Sequence, residues 1–291
     1  MKAISMMWII FGHTYMWNLL APLDNPIILQ ESWPKTFFSM FVQQSVFSVD
    51  TFFLLSGFLL AWTAFREIER RKGKLNAGLM FFHRIIRTAP LKIVLVFVVV
   101  SVFRYFGSGP FWETYSRPLQ FYCEENWWKT MLFIQNYAQP EEMCLGHTFY
   151  IAIDMQLYFL SPLVIIPLWK WGKKVIPALI ILCLLSVVAI IIIFYHEGYD
   201  EVIGVQEFEN SNILKLTYYA THTRFPVWLI GIIVGYLMYT TKTKPLNIPW
   251  YVIISGWAVC LGTMLAIVIG PINVTKEGHN KSDIRPLFTT P

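Results

Sequence analysis

A chain of 291 residues that is 56% hydrophobic and only 14% charged carries about half the charge of an ordinary soluble domain, where roughly a quarter of residues are charged. Its net charge of +5 comes from basic residues in short loops rather than a basic patch, which argues against a nucleic-acid partner. The composition excludes an ordinary water-soluble fold, and the twelve Trp and fourteen Tyr suit aromatic anchors at two membrane interfaces.

The apolar residues come in runs near the roughly 20 residues that cross a bilayer. Seven spans are predicted, over 3–21, 46–64, 88–106, 147–168, 175–195, 225–240 and 249–270. The expected fold class is all-α, a polytopic transmembrane helical bundle. Its membrane-embedded domain covers 1–271, with an extracytoplasmic loop at 107–146 within it and an extracytoplasmic tail at 272–291.

Lys and Arg set the orientation. With the N-terminus in the cytoplasm, the inner loops hold Arg66, Arg70, Arg71, Lys72, Lys74, Arg84, Arg87, Lys170, Lys173, Lys174, Lys242 and Lys244. The outer loops hold Lys35, Arg117, Lys129, Lys215 and Arg224, so the count is twelve against five. The tail carries glycosylation sequons at Asn273 and Asn280, which fall outside in this topology. Cys123 and Cys144 share one outer loop and are the disulfide candidate. Cys183 and Cys260 lie in apolar runs and read as packing residues. No metal-ligand spacing is visible.

Ionisable groups inside a span are costly and face a cavity or a partner. The first span offers Lys2 and His13, which lie on one helix face about 16 Å apart along the axis. His13 is either a general base or a structural histidine bonded to a neighbouring helix. In the second span Asp50 is expected at a similar depth, where it would orient and charge-stabilise His13; the alternative is a carboxylate capping a helix N-terminus. Gly57, two turns inward, permits close helix packing.

Arg84 and Arg87 are expected on the cytoplasmic side, just before Pro90. At i and i+3 their guanidinium groups project together, which suits a polyphosphate such as the pyrophosphate of coenzyme A; ordinary loop charge is the competing explanation. His147, Asp154, Tyr158 and Ser161 form one polar stripe on the fourth span, which lines a substrate cavity or glues helices together. Arg224 stands at the mouth of the sixth span.

Several of these stretches are similar to one family. Lys2 and His13 with Thr14 and Tyr15, the run Phe52-Phe53-Leu54-Leu55-Ser56-Gly57-Phe58, and Arg84 and Arg87 with Pro90 resemble, in that order, the acyltransferase 3 family of integral membrane acyltransferases. The block from His147 through Asp154 and Gln156 to Tyr158 resembles one that the family writes with Trp and Glu where this chain has Phe149 and Asp154. A later block, Thr223-Arg224-Phe225-Pro226 to Gly231, also fits. The wording is nearest the animal branch called nose resistant to fluoxetine proteins.

The resemblance implies transfer of an acyl group from acyl-CoA or a similar donor substrate to a hydroxyl or amine of a lipid, sugar or small-molecule acceptor. It makes Lys2 and His13 active-site residues, with His13 catalytic, and suggests that Arg84 and Arg87 handle the donor. The reading of the residues themselves adds Asp50 as the group that holds the imidazole, and His147, Asp154, Tyr158 and Arg224 as residues lining the substrate site. Membrane lipids are the expected surroundings, and no metal is expected. The family generally has about ten or more spans, and its animal branch carries a Cys-rich region before the first; against that pattern the chain is expected to be incomplete at both ends. A carrier of lipids or hydrophobic small molecules using the same polar path is the competing function.

Overall fold

The computed structural model of the chain describes residues 2–19, 32–197, 211–242 and 249–270. Asn273, Asn280 and the tail at 272–291 lie outside the described residues. Nine helices of seven residues or more occur among the described residues, and no strand does: α1 Lys2–Leu19, α2 Phe37–Gln43, α3 Ser48–Arg70, α4 Ala77–Ser101, α5 Trp112–Met131, α6 Phe149–Trp171, α7 Ile176–Glu197, α8 Thr221–Thr241 and α9 Trp250–Ile269. Seven of them, all but α2 and α5, correspond to the seven predicted spans.

Four stretches are long and apolar enough to cross a membrane by length and composition: Phe37–Arg70, Gly146–Glu197, Leu214–Thr241 and Trp250–Ile269. The second contains both α6 and α7, between which the chain reverses direction after Gly172. That residue has φ +60 and lies against the Tyr236 hydroxyl, so a side chain there would be strained and crowded. Ile180, Ile181, Leu184, Leu185, Ile191 and Ile192 on α7 are all exposed, as is nearly every apolar residue of α9. Such continuous apolar surface belongs in lipid, and the chain is an integral membrane protein. Helix α1 carries Lys2 and His13 along its length, and α4 carries Arg84, Arg87 and Lys92.

The chain divides into two compact units. The first comprises Met1–Phe52, Asp200–Glu209 and Thr241–Pro291. In it α1 packs along α2 and the short 3-10 turn Gln44–Phe47, with Trp8 Nε1 donating to the Phe41 carbonyl at 2.7 Å. Phe11, Tyr15 and Phe38 close that seam through ring contacts of 5.0 to 5.7 Å. Helix α9 packs on α2.

The second unit comprises Phe53–Tyr199 and Asn210–Thr240. Phe53 meets Tyr150 at 4.9 Å and Phe65 stacks on Trp169 at 6.3 Å, so α3 and α6 run parallel. Helix α8 runs parallel to both: Gly57 abuts the Trp228 carbonyl, Gly235 the Ala61 methyl, and Tyr239 OH donates to Glu69 at 2.7 Å. Helix α4 runs the other way, with Phe81 against Phe159 at 4.9 Å, and so does α7, whose Ser186 bonds the His222 carbonyl. This alternation is the threading that five successive spans require. The α3–α8 crossing rests on glycine. A Cβ on Gly57 would strike the Trp228 carbonyl and one on Gly231 the Leu54 carbonyl, as expected of helices drawn together by small residues.

Two boundaries differ from expectation. The apolar pattern predicts the third span at 88–106, whereas α4 begins at Ala77. Asn76 caps it by accepting the Leu79 N–H at 3.0 Å, and Pro90 sits inside the helix, as membrane helices tolerate. The 107–146 segment is also more ordered than a loop. It holds α5, which runs back along α4 and is fastened by the Cys123–Cys144 disulfide, whose sulfurs are buried against Val96 and Val99.

Candidate functional site

In the first unit, α1 turns Ser5 and Gly12 toward the start of α3: Thr51 Oγ1 donates to Ser5 Oγ at 2.7 Å, and Gly12 lies directly on Ser45. Lys2 and His13 share the neighbouring face, about 20° apart, and both are exposed. Asp50 occupies the first turn of α3, half-buried, where the helix dipole favours a carboxylate. The register departs from the expected equal depth. Thr51 meets Ser5, which puts Asp50 about 12 Å along the axis from His13. Ser39, Gln44, Ser45 and Ser48 are buried around this bend, a polar lining the sequence reading passed over because its apolar runs flank it.

In the second unit the ionisable residues converge more tightly. Asp154 is 7% exposed, in the second turn of α6. It accepts a hydrogen bond from Ser56 Oγ at 2.5 Å and forms an ion pair with the Arg84 guanidinium. That guanidinium lies over the Tyr158 ring at 4.2 Å. Three helices thus contribute to one buried charge cluster: α3 gives the hydroxyl, α4 the cation, and α6 the carboxylate and ring. Breaking a pair of this kind leaves an uncompensated charge in a medium that cannot solvate it.

This cluster corrects two sequence expectations. Arg84 and Arg87 do not project together: Arg84 turns inward to Asp154 while Arg87 is exposed. Nor does Arg84 lie in a loop beside the bilayer. It sits inside α4 among exposed Phe82, Ile85 and Ile86, level with Asp154, about 8 Å from the start of α6 and about 25 Å from its end. The cause is the early start of α4, which carries its first two turns into the apolar layer. The expected stripe is also shorter. His147 lies in a 3-10 turn before α6, exposed. Asp154, Tyr158 and Ser161 do share the helix, with Ser161 Oγ bonded to the Tyr158 carbonyl at 2.6 Å.

Arg224 stays at the start of α8, where its Nε donates to the Tyr218 carbonyl at 3.1 Å and its guanidinium covers the Tyr218 ring at 4.5 Å.

A second polar group went unread in the sequence. Lys92 is 2% exposed; its Nζ donates to the Thr130 carbonyl at 2.6 Å and sits 3.2 Å from the Phe133 ring centroid. Thr130, Gln135 and Thr148 continue the chain of bonds. Beside it Gln156 donates to the Phe133 carbonyl and to Asn136 Oδ1 at 2.7 and 2.8 Å, and accepts from Thr221. These bonds fasten the α5–α6 connection to α4 and α8. A lone Lys within an apolar run, with a Gln opposite, was the available signal.

Comparison with known proteins agrees with this architecture. Residues 1–289 match the family described as acyltransferase domain. The chain is similar to Nose resistant to fluoxetine protein 6 of Caenorhabditis elegans, 30% identical over 315 residues that cover 99% of this chain and 38% of that protein. It is also similar to the O-acetyltransferase OatA of Staphylococcus aureus (strain NCTC 8325 / PS 47), 28% identical over 193 residues, 65% of this chain and 29% of that one. The chain therefore spans well under half the length of either relative. No solved structure matches it.

Proposed function

This chain belongs to the acyltransferase domain family, and on that footing we propose that it moves an acyl group from acyl-CoA or a similar donor to a hydroxyl or amine of a lipid, sugar or small-molecule acceptor. The observation that carries the reading is the Arg84–Asp154–Ser56 cluster, a charged site assembled from three helices inside an apolar layer. Structure alone gains little from so costly an arrangement, whereas a group that must handle a polar reactant within the membrane requires it.

In this proposal His13 takes the proton from the acceptor. Lys2, on the same face, and Asp50, about two turns away, adjust the charge around the imidazole; the register of α1 on α3 gives Asp50 an electrostatic role rather than a direct bond. Arg84 and Arg87 serve the donor, and Tyr158, His147 and Arg224 flank the path. The N-terminus is proposed to lie in the cytoplasm and the tail outside, glycosylated at Asn273 or Asn280.

The test is transfer from radiolabelled acyl-CoA in proteoliposomes. Labelled acceptor is the expected product, and His13→Ala should slow its formation about 10²- to 10⁴-fold, the usual contribution of a placed base. Movement of lipid or small molecule across the vesicle with no labelled acceptor would favour a carrier instead. A folded His13→Ala protein that transfers at the wild-type rate removes His13 from the chemistry.

A further inference from the structure

We propose that the α3–α4 and α6–α7 turns, at one end of the second unit, together bind the headgroup of a polyanionic phospholipid. The loop charges assign this end to the cytoplasmic leaflet. The site lies about 25 Å along α6 from Asp154 and is independent of the reaction proposed above.

Four observations carry this. The first is uncompensated charge. Between residues 66 and 74 five cations, Arg66, Arg70, Arg71, Lys72 and Lys74, stand against Glu67 and Glu69. Glu67 is held by Arg70 and Arg71, and Glu69 accepts from the Tyr239 hydroxyl. Arg66, Lys72 and Lys74 are exposed and have no ion pair among the described residues; the same holds for Lys170, Lys173 and Lys174 in the other turn. The second is that the two turns adjoin. Trp169 stacks on Phe65, and a Cβ on Gly73 would lie 4.0 Å from the Trp169 Nε1. Six cations thus crowd one end of the unit, where their mutual repulsion favours an anion among them.

The third observation is the backbone of Lys72. The Gly73 and Lys72 N–H groups donate to the Ile68 and Glu69 carbonyls at 2.8 and 3.2 Å, the pattern that closes a helix through a left-handed residue. Glycine is the usual occupant of that position, yet Lys72 holds it with φ 52. A lysine kept where glycine fits better points to a use for its ammonium group.

The fourth observation favours a lipid over a soluble polyphosphate. Leu79 and Phe82 on α4, and Ile180 and Ile181 on α7, are exposed within the first two turns of their helices. Trp169 and Trp171 are exposed beside the lysines, as aromatic rings are at a membrane–water boundary. A molecule seated on these cations has apolar side chains next to it, which suits acyl chains. A hollow of about 520 Å³ lined by Arg71, Lys74, Leu75, Asn76 and Ala77 gives the headgroup room. Basic clusters of this size beside a membrane helix attract phosphorylated headgroups.

The test uses the purified protein in a neutral detergent. The probes are dioctanoyl phosphatidylinositol bisphosphate, dioctanoyl phosphatidylcholine and free inositol trisphosphate, with affinity read by equilibrium titration. The bisphosphate lipid is expected to bind about tenfold or more tightly than either of the others, and to weaken as salt is raised. Each cation removed should weaken it roughly fivefold. Lys72→Gly with Lys74→Gln, and separately Lys173→Gln with Lys174→Gln, should therefore each lower its affinity about 10- to 30-fold and leave phosphatidylcholine unchanged. Lys72→Gly alone should keep or raise the unfolding temperature without lipid, because glycine suits that backbone, while still weakening the lipid. A lower unfolding temperature with lipid affinity intact makes Lys72 a helix-end residue only and overturns the proposal. So does equal binding of the two lipids, or a response to substitutions in one turn alone. Inositol trisphosphate binding as tightly as the lipid also overturns it, and makes this a site for a soluble polyphosphate.

Discussion

Arg84 shows what a single side chain can and cannot reveal from sequence. Its type and its spacing from Arg87 were plain, and they suggested two cations acting together. Folding separates them by burial, because only Arg84 faces α6, where Asp154 waits. The energetic consequence is testable. Replacing Asp154 by Leu strands a buried guanidinium and should cost about 3–5 kcal/mol, whereas the double change Arg84→Met with Asp154→Leu should cost much less. Denaturation of the purified variants in one detergent measures the difference; equal losses in single and double variants would mean the two charges do not interact. Lys92 illustrates the same limit. The sequence places it inside an apolar run, but only the fold brings the Thr130 carbonyl and the Phe133 ring to it.

At the scale of helices, existence and order were legible and ends were not. The seven apolar runs each became a helix because hydrocarbon leaves backbone amides no partner but their own turn. The start of α4 moved by eleven residues because neither Pro90 nor the arginines stop a membrane helix, whereas in water both signals mark an end. Gly57 was expected to permit close packing, and it does; Gly231 and Gly235, which complete the α3–α8 contact, were not singled out. Gly231→Val pushes a branched side chain into the Leu54 carbonyl and should destabilise by about 1–3 kcal/mol or more, seen as a lower unfolding temperature, while Gly256→Val, where a Cβ meets open space, should not. The disulfide of Cys123 and Cys144, candidates from their shared segment, closes a separation of 21 residues. Cys144→Ser should lose about 3 kcal/mol on the chain-entropy estimate and loosen α5 from α4. Faster proteolysis within 112–146 reports it, and unchanged protease resistance would show that packing alone holds α5.

For the whole molecule, the alternating directions of α3, α4, α6, α7 and α8 agree with successive membrane crossings, and the loop charges choose which end is cytoplasmic. A tag before Lys2 is expected to be protease-accessible from the cytosolic side of intact membranes. Endoglycosidase should lower the apparent mass of the protein, and the shift should disappear in the Asn273→Gln, Asn280→Gln double variant. A tag reached only from the far side would invert the orientation.

The sequence by itself determined the membrane setting, the all-helical class, the family, the disulfide candidates and most of the residues that carry charge into the apolar layer. Apart from the family, which rests on the resemblance of its motifs, each of these is a matter of composition or spacing along one chain, where hydrophobicity and helical periodicity act locally. Only the tertiary structure decided which charges meet: that Arg84 pairs with Asp154, which also accepts from Ser56, that Arg87 stays outside that pair, and that Asp50 lies two turns from His13 rather than beside it. Those outcomes depend on the register between helices, which glycine contacts, capping and the return of α5 set together. No single stretch of sequence contains that information.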